Sequence, residues 1–234
     1  MNFNSQITLP LHNNIQGKVA YAMWLFWGLL FFPLKMTGLI KLCYTPKDFK
    51  SFTGPAIIAS NHRHPIDPLT IGIAIFPKLT FKLLPLAPYA APLHRLQRPG
   101  QKVAKIIGFI QAVYYLFNVI KIPEAVSFDE KLTPLKNALK NSETVLIFPE
   151  GRSYTEDSPR PFKNGVASLH LTTNTQIIPC AIHYYKKGWL RCAVVSFGAP
   201  FFVTASTGKN DLIKTAETIR QSVTKQYQKA VRSV

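Results

Sequence analysis

Apolar and polar positions along the chain follow two alternating rhythms from residue 55 onward: short continuous apolar runs, and longer stretches with helical periodicity. Residues 55–60 (PAIIAS) predict a buried strand. Asp67 and Pro68 then open a helix through Phe76, since Asp is a favoured N-cap and Pro a favoured first helical residue. Further strands are expected over 80–86, 108–115, 144–148, 176–184 and 191–197, and further helices over 101–107, 129–140, 163–173 and 211–232, the last long and basic. This alternation predicts an α/β fold, a mixed, largely parallel sheet flanked by helices.

The N-terminal part has a different pattern. Residues 19–34 carry no charge and lie between Lys18 and Lys35. As a helix they reach about 24 Å, short of the ~30 Å hydrocarbon core of a bilayer. Pro33 and Gly38 interrupt any extension, while Tyr21, Trp24 and Trp27 are rings of the kind that favour headgroup level. The expectation is a helix or helical hairpin lying in one leaflet, with a buried core helix as the alternative. A cleaved leader is disfavoured because no charged n-region precedes the run. Residues 1–44 are therefore assigned to an N-terminal membrane-associated segment and 45–234 to one domain.

Composition sharpens this picture. The 234 residues are 47% hydrophobic and only 17% charged, with 28 Lys and Arg against 11 Asp and Glu, a formal charge of +17. A mean hydropathy of +0.07 excludes both a disordered chain and a multi-spanning membrane protein. The charge calls for an anionic partner, and an anionic membrane surface at the cytoplasmic face suits the apolar run as well. Cys43, Cys180 and Cys192 form no C-x-x-C pair, and the histidines are scattered apart from His62 and His64, so no disulfide framework or metal site is expected.

Between Phe49 and Pro123 the single carboxylate is Asp67, amid nine Lys or Arg residues. Its candidate partner is His62, in the segment NHRHPID that joins a predicted strand to a predicted helix, where α/β sheets place ligands. On a straight helix the two would point about 140° apart. Pro65 disfavours helix at the residue before it and so implies a turn that lets them meet. A carboxylate on one imidazole nitrogen would leave the other free to take a proton from a hydroxyl. The alternative is that Asp67 only caps the helix and His62 is an exposed loop residue. A second segment, FPEGRS at 148–153, follows another buried strand, with PFKNG at 161–165 close behind. Arg152 and Lys163 offer a planar fork and a point charge to a phosphate, and Gly151 permits close backbone approach. Glu150 is placed to orient Arg152 or to bond a hydroxyl.

The ordered set NHRHPID, FPEGRS, PFKNG and IIPCAI resembles the glycerolipid acyltransferase superfamily, of the 1-acylglycerol-3-phosphate acyltransferase type, over about residues 45–205. The resemblance implies an O-acyltransferase in which His62 deprotonates the acceptor hydroxyl and Asp67 orients it. It also implies that Glu150, Gly151 and Arg152 help bind the acceptor phosphate, and that Pro179 marks a fourth motif that serves the acyl-donor side or packing, with packing preferred. No cofactor is implied beyond the co-substrate, an acyl-CoA or acyl carrier protein thioester attacked directly by a lysophospholipid acceptor. Two departures stand out: the segment from Gly108 to Tyr115 lacks the arginine that ends the family's second motif, and FPEGRS lacks the threonine of the commoner FPEGTRS. Other acceptors, such as a lyso-aminolipid or glycolipid, fit the same motifs. A basic nucleic-acid-binding module or a non-catalytic membrane adaptor would explain the charge. The first has no recognition motif here, so no nucleic acid is expected as a partner, and the second has no need of the His62 and Asp67 pair. No G-x-S-x-G elbow surrounds Ser60 or Ser153, which disfavours a serine hydrolase.

Overall fold

The apolar run after Pro55 forms a strand, β2 (Ile57–Ser60), whose four side chains are all buried. It lies inside a sheet that also contains β1 (Ile40–Tyr44), β3 (Leu83–Pro88), β4 (Ile120–Ile122), β5 (Thr144–Ile147), β6 (Ile177–Lys187) and β7 (Leu190–Phe197). The strand order is β1-β7-β6-β2-β5-β3-β4. Every neighbouring pair is parallel except β6 with β7, which form an antiparallel hairpin, so β1 and β7 run against the other five. The computed structural model describes residues 22, 25, 26, 29, 30, 32–34, 36–44, 55–75, 83–88, 120–122, 127–154, 158–205 and 208–234. The helix expected at 101–107 and the strand expected at 108–115 lie outside the described residues.

Central strands that are apolar on both faces need cover on both sides. On one face, Ile57, Ala59, Val145, Ile147, Ile177 and Ala181 pack against α2 (Phe128–Lys140), α3 (Gly165–Thr173) and α4 (Lys209–Arg232). On the other, Ile58, Leu146, Ile178, Cys180 and Ile182 meet α1 (Asp67–Ile75) through Ile71, Ala74 and Ile75. α2 begins with a capping box, in which the Ser127 hydroxyl accepts from the Glu130 amide and the Glu130 carboxylate accepts from the Ser127 amide. The 24 residues of α4 bury Ala216, Ile219, Val223, Tyr227 and Ala230, a spacing of three and four that lays one stripe on the sheet.

Three strands differ from the sequence expectation, among them β4, where no element was expected. Residues 40–44, read as part of the N-terminal segment, are the edge strand β1, with Ile40 opposite Ala193. β6 runs on to Lys187 instead of stopping at 184. The remaining described elements fall within three residues of the expected bounds. The described residues between 22 and 36 are helical. Among the described residues no helix is long and apolar enough to cross a membrane.

Candidate active site

The pairing of β2 with β6 ends at Ser60 and Cys180. Beyond it the chain leaves the sheet, and the Asn61 side chain takes over the ladder. Its amide oxygen accepts from the Ile182 N–H at 2.8 Å and its amide nitrogen donates to the Ile182 carbonyl at 3.0 Å. This bidentate clasp fixes where the next residue, His62, emerges. Pro65 and Ile66 then turn the chain, and the first helical bond of α1 runs from the Thr70 amide to the Ile66 carbonyl.

His62 Nδ1 lies 2.9 Å from Asp67 Oδ2. The same carboxylate oxygen accepts the amides of Arg63 at 2.6 Å and His64 at 2.8 Å, and Oδ1 accepts the Tyr184 hydroxyl at 2.7 Å. Asp67 is the first residue inside α1, one place later than an N-cap, and its carboxylate points back over the loop. The expected capping role is thus corrected, because the turn at Pro65 brings the amides of Arg63 and His64 within hydrogen-bond distance of the carboxylate. Four donors compensate the complete burial of this acid. With Asp67 as its partner, Nδ1 carries the proton, and Nε2 is left as a hydrogen-bond acceptor. The His62 side chain is 21% exposed, and its ring stacks on Phe148 at 4.4 Å between centroids. Burial and the Asp67 charge push the Tyr184 hydroxyl well above the ordinary phenol range, which keeps it a donor.

The second loop is fastened to the first. The Tyr154 amide donates to the His62 carbonyl at 2.8 Å. Glu150, itself buried, accepts from the backbone amides of Arg160 at 3.3 Å and, at a long 3.5 Å, His62. Its carboxylate is thus directed to backbone amides, where the sequence had suggested Arg152 or a ligand hydroxyl. Burial pushes the Glu150 carboxyl up to about 7, against the opposing pull of those two amides. Gly151 has φ +74, and a Cβ placed there would lie 2.5 Å from Lys163 Nζ, so the lysine lies directly across the glycine. The Lys163 amide donates to the Pro149 carbonyl at 3.0 Å, anchoring that crossing. Arg152 and Lys163 are both exposed.

The structure therefore brings His62, Asp67 and Glu150 together behind an exposed rim made by Gly151, Arg152 and Lys163. Pro179 sits in β6 opposite Ala59, its ring against Gly198. Asn61 and Tyr184 were missed by sequence reasoning. Asn61 stands next to the motif histidine, whereas Tyr184 is 117 positions from Asp67 and has no local signal. Among the described residues no group of three or more His, Cys, Asp or Glu is placed to hold a metal.

Residues 41–183 match the Acyltransferase family. Over 97 residues, 38% of the chain, the sequence is 31% identical to glycerol-3-phosphate O-acyltransferase 2 of Saccharomyces cerevisiae, and the chain spans 13% of that protein's length. The fold is similar to the crystal structure of the 1-acyl-sn-glycerophosphate (LPA) acyltransferase PlsC from Thermotoga maritima, with a TM-score of 0.56 and 15% identity over 91% of this chain and 81% of that one. The family match contains both β2 and β5 with the loops that follow them, and the chain accordingly belongs to the Acyltransferase family, within the glycerolipid acyltransferase superfamily.

Proposed function

We propose that the protein transfers a fatty acyl group from a thioester to the free hydroxyl of a lysophospholipid, most specifically 1-acylglycerol-3-phosphate. The observation that carries this reading is the contact of 2.9 Å between His62 Nδ1 and a fully buried Asp67, which leaves Nε2 as the base at a partly open position. Nε2 removes the proton of the acceptor hydroxyl as its oxygen attacks the thioester carbonyl. Collapse of the tetrahedral intermediate breaks the carbon–sulfur bond, and the imidazolium returns the proton to the departing thiolate. Asp67 holds the ring and stabilises its charged form. Arg152 and Lys163 bind the acceptor phosphate, the guanidinium through two parallel hydrogen bonds, and Gly151 lets that phosphate approach the backbone. The thioester is carried by coenzyme A or by an acyl carrier protein. A membrane supplies the acceptor, and the N-terminal segment holds the enzyme there, a reading supported by the exposure of Phe26, Leu29, Leu30 and Met36.

The test is product mass after incubation of purified protein with labelled acyl donors and a panel of lysolipids. Turnover is expected with the phosphate-bearing acceptor, and His62→Ala is expected to lower it by about 10² to 10⁴ with the fold intact. Near-normal turnover in that variant overturns the mechanism, and turnover with a different headgroup alone overturns the acceptor.

A further inference from the structure

β2 and β6 run side by side only as far as Ser60 and Cys180. There β2 gives way to the His62 loop, while β6 continues to Lys187, a distance of about 23 Å at ~3.3 Å per residue. Burial falls away along this extension, with Ile182 buried and Lys186 and Lys187 exposed. β7 turns back with Leu190 opposite Lys187, so the loop consists of Gly188 and Trp189. Gly188 has φ +62, the conformation that a two-residue hairpin loop requires of its first residue. Trp189 is 91% exposed at the tip.

The position of this tip gives it meaning. Tyr184, which bonds Asp67, lies only three residues before Lys187, so the hairpin projects from the catalytic end of the sheet. The edge strand β1 enters at that same end, because Ile40 pairs with Ala193 near the start of β7 and the Ala193 amide donates to the Leu39 carbonyl. Just before it come the exposed apolar helical residues Phe26, Leu29, Leu30 and Met36. One end of the molecule thus holds His62 and Asp67 and a cationic hairpin with an exposed indole, and the chain arrives at that end from the exposed apolar helical residues.

We propose that the β6–β7 hairpin is a second lipid-surface contact, in which Trp189 seats at headgroup level and Lys186 and Lys187 meet anionic headgroups, turning the open side of His62 toward the bilayer. It rests on the reading that the acceptor is drawn from a membrane. Lysines alone would suit an acidic carrier protein. The exposed indole, at the end where the chain arrives from exposed apolar helical residues, favours a surface with an apolar interior, since amphipathic rings seat at the boundary between headgroups and chains.

Trp189 is one of three tryptophans, so Trp24→Phe with Trp27→Phe leaves it as the only indole of the full chain. With phosphatidylcholine and phosphatidylglycerol vesicles carrying brominated acyl chains, its emission is expected to shift to the blue and be quenched. If the double variant does not fold, the difference in quenching between the wild-type chain and Trp189→Phe gives the same reading. Lys186→Glu with Lys187→Glu is expected to weaken partition onto the anionic vesicles by roughly tenfold and to leave turnover of a water-soluble short-chain acceptor unchanged. Unaltered Trp189 emission in protein that sediments with the vesicles overturns the proposal. So does unchanged partition of the charge variant together with a raised KM for an acyl carrier protein donor, which would make the hairpin a protein-docking element. The fluorescence needs no turnover, so a failure of the acyl-transfer reading is seen separately, in the product assay.

Discussion

Asp67 is buried with four donors converging on it, and three of them, the amides of Arg63 and His64 and the Tyr184 hydroxyl, do no chemistry of their own. They fix where the carboxylate meets His62. Tyr184→Phe removes the only one of these three supplied by a side chain and leaves Oδ1 short of a partner at a hydrogen bond worth about 1.5–3 kcal/mol. The expected result is a fall of roughly tenfold in kcat with both KM values unchanged, as steady-state kinetics would show. A rise in KM would place Tyr184 on a substrate instead. Glu150 gives a pH signature. Its carboxyl titrates near 7 in the folded chain, well above the ordinary value of 4.5, so folding takes up a proton between those values. The stability it contributes is complete below about pH 4.5 and is lost as pH rises through about 7. Glu150→Gln should flatten that decline, measured as the denaturant midpoint at about pH 5 and about pH 8. The turn that joins His62 to Asp67 was legible in the sequence because Pro65 leaves few alternatives. Tyr184 was not, since only the folded sheet brings residues so far apart into contact.

At the level of elements, the loop after β5 depends on both its glycine and its neighbours. Gly151→Ala places a methyl where Lys163 crosses and asks an L-residue to adopt φ +74. It is expected to raise the acceptor KM several-fold while leaving the donor KM alone, because His62 and Asp67 keep their contact. α2 offers a contrasting case. Ser127→Ala removes one half of its capping box and should cost about 1 kcal/mol of stability, visible in the denaturant midpoint, with no change in kcat. Most described strands could be read from their apolar runs, but β1 and the three-residue β4 could not. Ile40 is buried while Lys41 is exposed and reaches the Ser233 carbonyl beyond the end of α4 at 3.1 Å. Such a mixed edge strand, next to a long apolar stretch, looks like the end of that stretch. β6 overran its expected end because the hairpin continues into water, where the loss of apolar residues is a poor marker of where a strand stops.

Across the whole molecule, charge and apolar surface act over different ranges. A chain beginning at Leu39 retains β1 and is expected to stay folded, although it loses the packing of Leu34 on the core. It should leave neutral vesicles and still bind anionic ones in a manner that weakens as salt is raised. Retention on neutral vesicles at high salt would put the principal anchor outside the N-terminal segment. The alternation of strands and helices gave the fold class, but not the strand order, in which β2 lies between β5 and β6. That order depends on which faces must be covered, and it has a consequence for how the protein is made. Asn61 is clasped by a residue 121 positions later, and His62 meets Glu150 88 positions later. During synthesis the catalytic loop leaves the ribosome long before the segments that shape it, and β2 waits with both edges unpaired until β5 and β6 have followed. An unpaired strand is prone to aggregate, and the His62 loop takes its folded shape only after β5 and β6 have left the ribosome.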